Sequence, residues 1–140
     1  MFIGRYYHTL EENRRVSLPS NFRKTEKNWV ITRGLDGGLF LYRAVNFKTE
    51  VKKLSQRTFT KKAHRDFIRL MTNDAHQIKT DENGRVSLPE YLIEFAKLTK
   101  QIVIVGSYSR IEIWDRDQYH QYLEQIEAQA EEIAEGLANE

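Results

Sequence analysis

Two short stretches of the chain carry arginines in positions suited to binding an anion. Residues 12–19 read ENRRVSLP and residues 82–89 read ENGRVSLP, with Arg15 and Arg85 at matching places. A guanidinium on a tight turn can fork onto two phosphate oxygens, or onto O6 and N7 of guanine. The repeated turn therefore predicts a surface that presents two matched arginines to one nucleic acid duplex.

A purely structural interpretation of the same turns is also open. The acidic residue that opens each turn, Glu11 or Asp81, can pair with the following arginine across the bend. Such a carboxylate stabilises the turn, and it can also orient the arginine toward a ligand. The residue types alone do not separate the two roles.

Charge is divided unevenly along the chain. Residues 1–70 hold 16 Lys and Arg against 6 Asp and Glu, a net charge of +10, and residues 71–140 hold 6 against 14, a net charge of −8. A basic half is typical of a protein that binds a polyanion, although an uneven solvated surface gives the same count. The N-terminal half is therefore the candidate for contact with nucleic acid.

The sequence has few features that would support catalysis or metal binding. The chain has no cysteine, so thiol nucleophiles, thiolate metal sites and disulfides are excluded. Glycine-rich phosphate-binding motifs and a GxSxG nucleophile motif are missing. The histidines show no metal-ligand spacing; they are His8, His64, His76 and His120. We predict no catalytic residues, no metal and no cofactor, and, without a signal peptide or a membrane-length apolar run, a cytoplasmic location.

The basic turns belong to a larger internal repeat. At an offset of 70, seven of the eight residues of 12–19 recur in 82–89, and at an offset of 72 residues 30–47 parallel residues 102–119 more loosely. The second alignment pairs Gly34 with Gly106, Tyr42 with Trp114 and Phe47 with Tyr119. We predict repeats at 5–47 and 75–119, a helical connector at 48–74, and an acidic amphipathic helix at 120–140.

Each repeat predicts four short strands and one small helix. Aromatic and β-branched residues before and after each turn favour strands, and Pro19 and Pro89 mark positions where a helix can begin. One repeat alone is too small to bury a stable core, so we expect the two to pack as an intrachain pseudo-dimer. The predicted fold class is β-rich α+β, a pseudo-dimer barrel of two repeats with connecting helices and a C-terminal helix.

The motif resembles a known DNA-binding fold. Residues 81–89, DENGRVSLP, and their variant EENRRVSLP at 11–19 resemble the turn of AbrB-type swapped-hairpin proteins. Two copies, followed by EIWDRDQYHQY at 112–122 and an acidic helix, resemble the MraZ family of bacterial transcriptional regulators. That resemblance implies a ring-shaped homo-oligomer, an octamer, which associates with the nucleoid. It also implies binding to short direct repeats in the protein's own promoter and regulation of the division and cell-wall gene cluster.

The resemblance also implies which residues bind DNA. They are the motif arginines, the first turn, and basic residues before and after it: Arg15, Arg85, Asn13, Arg14, His8, Arg23 and Lys24. Glu11 and Asp81 are the acidic residues that orient the turns. Because no cation lies at 91–95 after the second turn, we expect the first repeat to be the main reader. Arg14 replaces the family's turn glycine, so we expect backbone strain there.

Two other functions remain open. The first is a structural module, in which the ring itself or its acidic C-terminal helix recruits a protein partner. The second is an AbrB-type antitoxin, which would bind DNA and also a toxin through its C-terminal segment. The duplicated unit disfavours the antitoxin, because such proteins usually carry one copy and an unfolding tail.

Overall fold

The computed structural model describes residues 1–24, 26–56 and 60–140. The part of the predicted helical connector at 57–59 lies outside them. Eight strands and six helices alternate along the described chain, with one 3-10 turn at Glu12–Arg14. The first half contains β1 Arg5–Thr9, β2 Arg15–Ser17, α1 Ser20–Arg23, β3 Asn28–Arg33, β4 Leu39–Arg43 and α2 Ala44–Ser55. The second half contains α3 Lys62–Asn73, β5 His76–Lys79, β6 Arg85–Ser87, α4 Glu90–Ala96, β7 Gln101–Ser107, β8 Arg110–Asp115, α5 Arg116–Ala128 and α6 Ala130–Ala138.

The two repeats exchange their first strands. Six strands form one antiparallel sheet in the order β1-β7-β8-β4-β3-β5, so β1 of the first repeat pairs with β7 of the second, and β5 pairs with β3. The strands that follow the basic turns, β2 and β6, pair with each other in a separate ribbon. This is the tandem swapped-hairpin arrangement that the sequence predicts.

The core lies between the large sheet and a layer made of the ribbon, α1 and α4. Strand alternation sends Val16 and Val86 inward from the ribbon, and both are buried. Leu18 and Leu88 continue this apolar cluster, just before Pro19 and Pro89 start the two helices as predicted. Burying the inner face of the ribbon fixes which of its side chains must point outward.

The register of the sheet corrects one alignment made from the sequence. His8 pairs with Ile102 and Ile78 pairs with Trp29, so β3 and β7 correspond at an offset of 73. Gly34 is therefore not the counterpart of Gly106. A one-residue slip reverses the face on which every side chain of a strand lies. An offset of 72 would align the buried Trp29 with the exposed Gln101, whereas the offset of 73 aligns it with the buried Ile102. The offset of 72 does hold in β4 and β8, where Leu39 pairs with Ile113 and Leu41 with Ile111.

Helices cover the other face of the sheet in a matching way. Tyr42 contacts Phe47 of α2 at 5.6 Å between ring centroids, and Trp114 contacts Tyr119 of α5 at 5.4 Å. The predicted pairs of Tyr42 with Trp114 and Phe47 with Tyr119 are thus equivalent in space. Met71 of α3 packs in the first of these clusters, which explains the apolar positions of the connector.

The C-terminal helix starts earlier than predicted and is broken. The Asp115 side chain accepts a hydrogen bond from the backbone N–H of Gln118, so helix α5 begins at Arg116 rather than at residue 120. It ends at Ala128, because Gln129 leaves helical geometry at φ −113° and ψ 13°, and α6 follows. Within the described ranges, no helix has the length and apolarity to cross a bilayer.

Candidate nucleic-acid interface

The outward face of the β2–β6 ribbon carries the motif arginines. Arg15 pairs with Ser87 and Ser17 with Arg85 across the ribbon, and the inward direction of Val16 leaves these four side chains on the outer side. Diagonal neighbours on such a pair lie about 7–8 Å apart at their Cα atoms. Arg15 and Arg85 also line one cleft of ≈ 470 Å³ beside the first turn.

Arg85 is held by two carboxylates. Its Nε lies 3.1 Å from Oδ2 of Asp81, and its Nη1 lies 3.6 Å from Oε1 of Glu11 in the other repeat. Asp81 Oδ1 accepts the backbone N–H groups of Asn83 and Arg85 at 2.8 and 2.9 Å, closing the turn. The bond from the Arg85 N–H is the largest cause that holds the pKa of Asp81 below its ordinary value. The structural interpretation of the turn therefore applies to the second repeat.

Arg15 has no such partner. Among the described residues, no hydrogen bond or ion pair holds its guanidinium, although its backbone carbonyl accepts the N–H of Glu11 at 2.8 Å. The Glu11 carboxylate has other partners, with Oε2 accepting from Ser17 at 3.2 Å and Oε1 lying 3.6 Å from Nη1 of Arg85. The two turns share a sequence, yet only the first leaves its arginine free to bind a ligand.

The first turn has an unusual backbone. Asn13 and Arg14 both have positive φ, at 61° and 59°, whereas Gly84 with φ 76° occupies the equivalent of Arg14 in the second turn. The sequence prediction that Arg14 occupies a strained position is confirmed. Its Nε donates to the carbonyl of Leu88 at 3.1 Å, so this side chain connects the first turn to the second repeat. Asn13 is exposed and lines the cleft with Arg15.

Arg23 lies beside the second turn rather than the first. Arg23 Nη1 donates to the carbonyl of Asn83 at 3.0 Å, and an added Cβ at Gly84 would approach that nitrogen to 1.8 Å. A side chain at this position would therefore adopt an unfavourable positive φ, and the Arg23 side chain would have to move away from it. Lys24 follows the end of α1 and is exposed.

His8 differs from the other candidates. It lies on the same face of β1 as Tyr6, which packs on the core, and it is half-buried. Burial lowers the pKa of His8 below its ordinary value, and nearby Glu11 opposes this change only in part. The ring is neutral at pH 7, so it can offer a hydrogen bond but not a cation to a phosphate.

One cation at this surface was not found from the sequence. Lys100 is exposed and lines the cleft with Arg15 and Arg85. Its carbonyl accepts the N–H of Leu10 at 2.8 Å, which places it at the end of β1 next to the first turn. Lys100 lies 85 residues after Arg15 in the sequence, and only the exchange of β1 between repeats brings the two together.

The structure thus gathers the candidates around one ribbon, in two groups. Asn13, Arg15 and Arg85 surround the cleft together with Lys100, while Arg23 contacts the second turn and Lys24 follows Arg23 at the end of α1. No cluster of three or more histidines and carboxylates in the described residues could hold a metal ion. The chemistry available at this surface is recognition of an anion by guanidinium, ammonium and amide groups.

Comparison with known proteins gives matches over the whole chain. A family model described as "MraZ protein, putative antitoxin-like" matches residues 1–70 and again residues 71–139. The chain is 40% identical over 138 residues to "Transcriptional regulator MraZ" of Pediococcus pentosaceus, covering 98% of this chain and 96% of that protein. Proteins of the same name from Carboxydothermus hydrogenoformans and Natranaerobius thermophilus are each 38% identical over 140 residues, covering 99% of this chain and 98% of each relative.

Proposed function

The chain belongs to the MraZ family, and from this premise we propose that it is a DNA-binding transcriptional regulator whose β2–β6 ribbon reads duplex DNA. The names of its relatives describe a regulatory role, which agrees with the predicted absence of an enzymatic one. The two matches of the family model agree with the two repeats. A regulator of this kind acts in the cytoplasm, at the nucleoid.

The free guanidinium of Arg15 carries this proposal. It lies on the outer face of a two-stranded ribbon, beside a partner arginine and Lys100. The major groove of B-DNA, about 12 Å wide, admits a two-stranded ribbon, and a free arginine there can bind guanine at two atoms. Arg85, held by Asp81 and Glu11, is suited to fixing the ribbon or contacting a phosphate. The first repeat is accordingly the main reader.

We propose further that several copies form a ring that binds short direct repeats in the protein's own promoter region, within the division and cell-wall gene cluster. One ribbon presents few cations, so a single copy would bind one repeat weakly. Linked copies that each bind one repeat gain affinity through effective concentration, without new contacts. Tight binding should therefore require more than one repeat.

The test is fluorescence anisotropy of a duplex from upstream of the protein's own gene, against a scrambled duplex, over a range of salt concentrations. Arg15→Ala is compared with the wild type and with Lys53→Ala. Lys53 is a cation on α2 whose side chain is 67% accessible and lies 3.9 Å from the exposed Glu50 carboxylate, a contact of little energy, so its loss mainly tests nonspecific charge. Loss of a base contact should cost about 1–3 kcal/mol on the cognate duplex, and loss of a phosphate contact should flatten the salt slope by about one unit.

Each outcome has a distinct meaning. Cognate binding that Arg15→Ala weakens and Lys53→Ala leaves intact supports a sequence-specific reader. Equal loss on both duplexes would make Arg15 a phosphate contact. Weak binding to both duplexes that Arg15→Ala does not change would contradict the proposal and favour a module that acts through protein partners.

A further inference from the structure

Helix α6 has an apolar face that stays exposed in the described part of the chain. Its apolar positions recur at helical spacing, and its two largest side chains, Ile133 and Leu137, are 46% and 63% exposed. A helix of this length is marginal in water on its own, and most helices gain stability from packing of an apolar face. The rest of its surface is acidic: Glu132 and Glu135 lie opposite the apolar face, and Glu131 borders it.

A matching groove lies at the other end of the sheet. Helix α2 and strands β3 and β5 border an apolar groove of ≈ 480 Å³, lined by Val45, Phe47 and Val51, with Lys48 and Gln77 at its rim. Val45 is 57% exposed although it is apolar. Lys52 follows Lys48 by one helical turn, so both ammonium groups lie along the same side of α2.

Pseudo-symmetry shows that this groove is specific to the first repeat. Strand pairing makes Tyr7 the counterpart of Gln77, since Tyr7 pairs with Val103 and Gln77 pairs with Val30. At the equivalent place in the second repeat, Tyr7 stacks on His120 of α5, with ring centroids 5.7 Å apart, and the two side chains are joined by a 3.1 Å hydrogen bond. Those rings fill the second site, whereas Gln77 and Lys48 leave the first one open.

Charge indicates what fills the groove. The apolar face of α6 has the Glu131 carboxylate at its edge, and the apolar groove has Lys48 at its rim, with Lys52 one helical turn further along α2. Every residue of α6 is exposed, so this helix does not occupy the groove of its own chain. Each copy of the chain has one such helix and one such groove, so in an assembly of copies every groove can receive an α6 helix from another copy.

We propose that α6 of one copy docks through Ile133 and Leu137 into the α2–β5 groove of the next copy. The contact joins different surfaces of the two chains, and a head-to-tail contact of this kind closes into a ring when its rotation is suitable. The inference rests on the proposed ring and names the surfaces that build it. The DNA-binding ribbon takes no part in the contact, so both functions are available at once.

The absence of cysteine in the chain makes a direct test possible. Under mild oxidation the double variant Val45→Cys/Leu137→Cys should give a ladder of covalent oligomers on a non-reducing gel. Each single variant should give only background, because it provides one half of the contact. A product of monomer mass without free thiols would show that α6 folds onto its own groove, and unreacted thiols would show that the two surfaces do not meet; either result overturns the proposal.

A second pair of variants tests assembly in solution. Leu137→Glu should shift the mass measured by light scattering to that of smaller species, whereas Gly136→Glu should not. Gly136 lies on the polar face of α6, where an added Cβ would meet no described atom within 4 Å, so glutamate there adds the same charge without touching the apolar face. On a duplex with several repeats Leu137→Glu should bind at least about 10-fold more weakly, but equally well on one repeat.

The outcomes separate this inference from the proposed function. A wild-type oligomer that Leu137→Glu does not change, with no cross-linked ladder, would place the ring contact elsewhere and leave the ring intact. A monomeric wild type that still binds cognate DNA through Arg15 would overturn both the α6 contact and the ring, but not DNA recognition. Failure of cognate binding with an intact ladder would overturn DNA recognition alone.

Discussion

At the residue scale, the acidic residues that open the two basic turns differ by one methylene group. The shorter side chain of Asp81 accepts the backbone N–H groups of its own turn and also binds Arg85. Glu11 is longer and instead reaches across to Ser17 and Arg85. The acidic residue of the first turn therefore stabilises the second turn's arginine, and Arg15 remains free.

The strain at Arg14 can be measured by two substitutions. Arg14→Ala removes the hydrogen bond to Leu88, worth about 0.5–1.5 kcal/mol, while keeping a side chain at positive φ. Arg14→Gly also removes the bond but relieves the strain, so the glycine variant should be more stable than the alanine variant by about 1 kcal/mol. Urea unfolding of both variants measures the difference. Equal stabilities would mean that the position is unstrained.

The half-buried imidazole of His8 predicts a pH dependence of stability. Burial lowers the pKa of His8 in the folded chain, so the unfolded chain, with a pKa of about 6.5, binds the proton more tightly. This contribution to the free energy of unfolding is complete above pH 6.5 and decreases as the pH falls through the folded pKa. His8→Gln should lose stability less than the wild type between pH 7 and 5 in urea titrations. If the free energies of unfolding of the two proteins fell in parallel as the pH decreased, His8 would not be the source of the pH dependence.

At the scale of elements, α1 and the second turn depend on each other. Gly84→Ala places a methyl group at φ 76° where Arg23 lies, and we expect it to lower the free energy of unfolding by about 1–3 kcal/mol. Arg23→Ala should recover part of this loss in the double variant, because the space over the turn becomes empty. Thermal or urea unfolding of all four proteins gives the coupling energy. If the two substitutions changed the free energy of unfolding additively, backbone strain at residue 84 alone, and not the contact with Arg23, would account for the loss in Gly84→Ala.

Local features of these elements could be predicted from the sequence, and their partners could not. Pro19 and Pro89 start helices as predicted, because proline at a helix start acts through its own backbone. The contact of Arg23 with Asn83 joins residues 60 positions apart, and it exists only because the repeats exchange strands. The alignment of Gly34 with Gly106 failed because strand register is set by the partner strand: Gly106 pairs with Ile111, and its backbone lies against Ile3.

At the scale of the whole molecule, the pairing of strands predicts that neither repeat folds alone. Among the described strands only β3–β4 and β7–β8 pair within a repeat, whereas the pairs β1–β7, β3–β5, β2–β6 and β4–β8 join the two. A fragment of residues 1–74 or 75–140 would therefore expose the ribbon and the core leucines, Leu18 or Leu88, to water. We expect each fragment alone to show no cooperative thermal transition at low concentration, when followed by circular dichroism.

Mixing the two fragments should restore a cooperative transition whose midpoint rises with concentration. The strand pairs between repeats would then form between separate chains, and the cost of bringing those chains together depends on their concentration. The full chain avoids this cost because α2 and α3 keep both repeats at a high effective concentration. A sharp, concentration-independent transition in either fragment alone would show that one repeat has its own core. In that case a single repeat could fold without the other, and duplication of the repeat would not be needed to form the ribbon that presents Arg15 and Arg85.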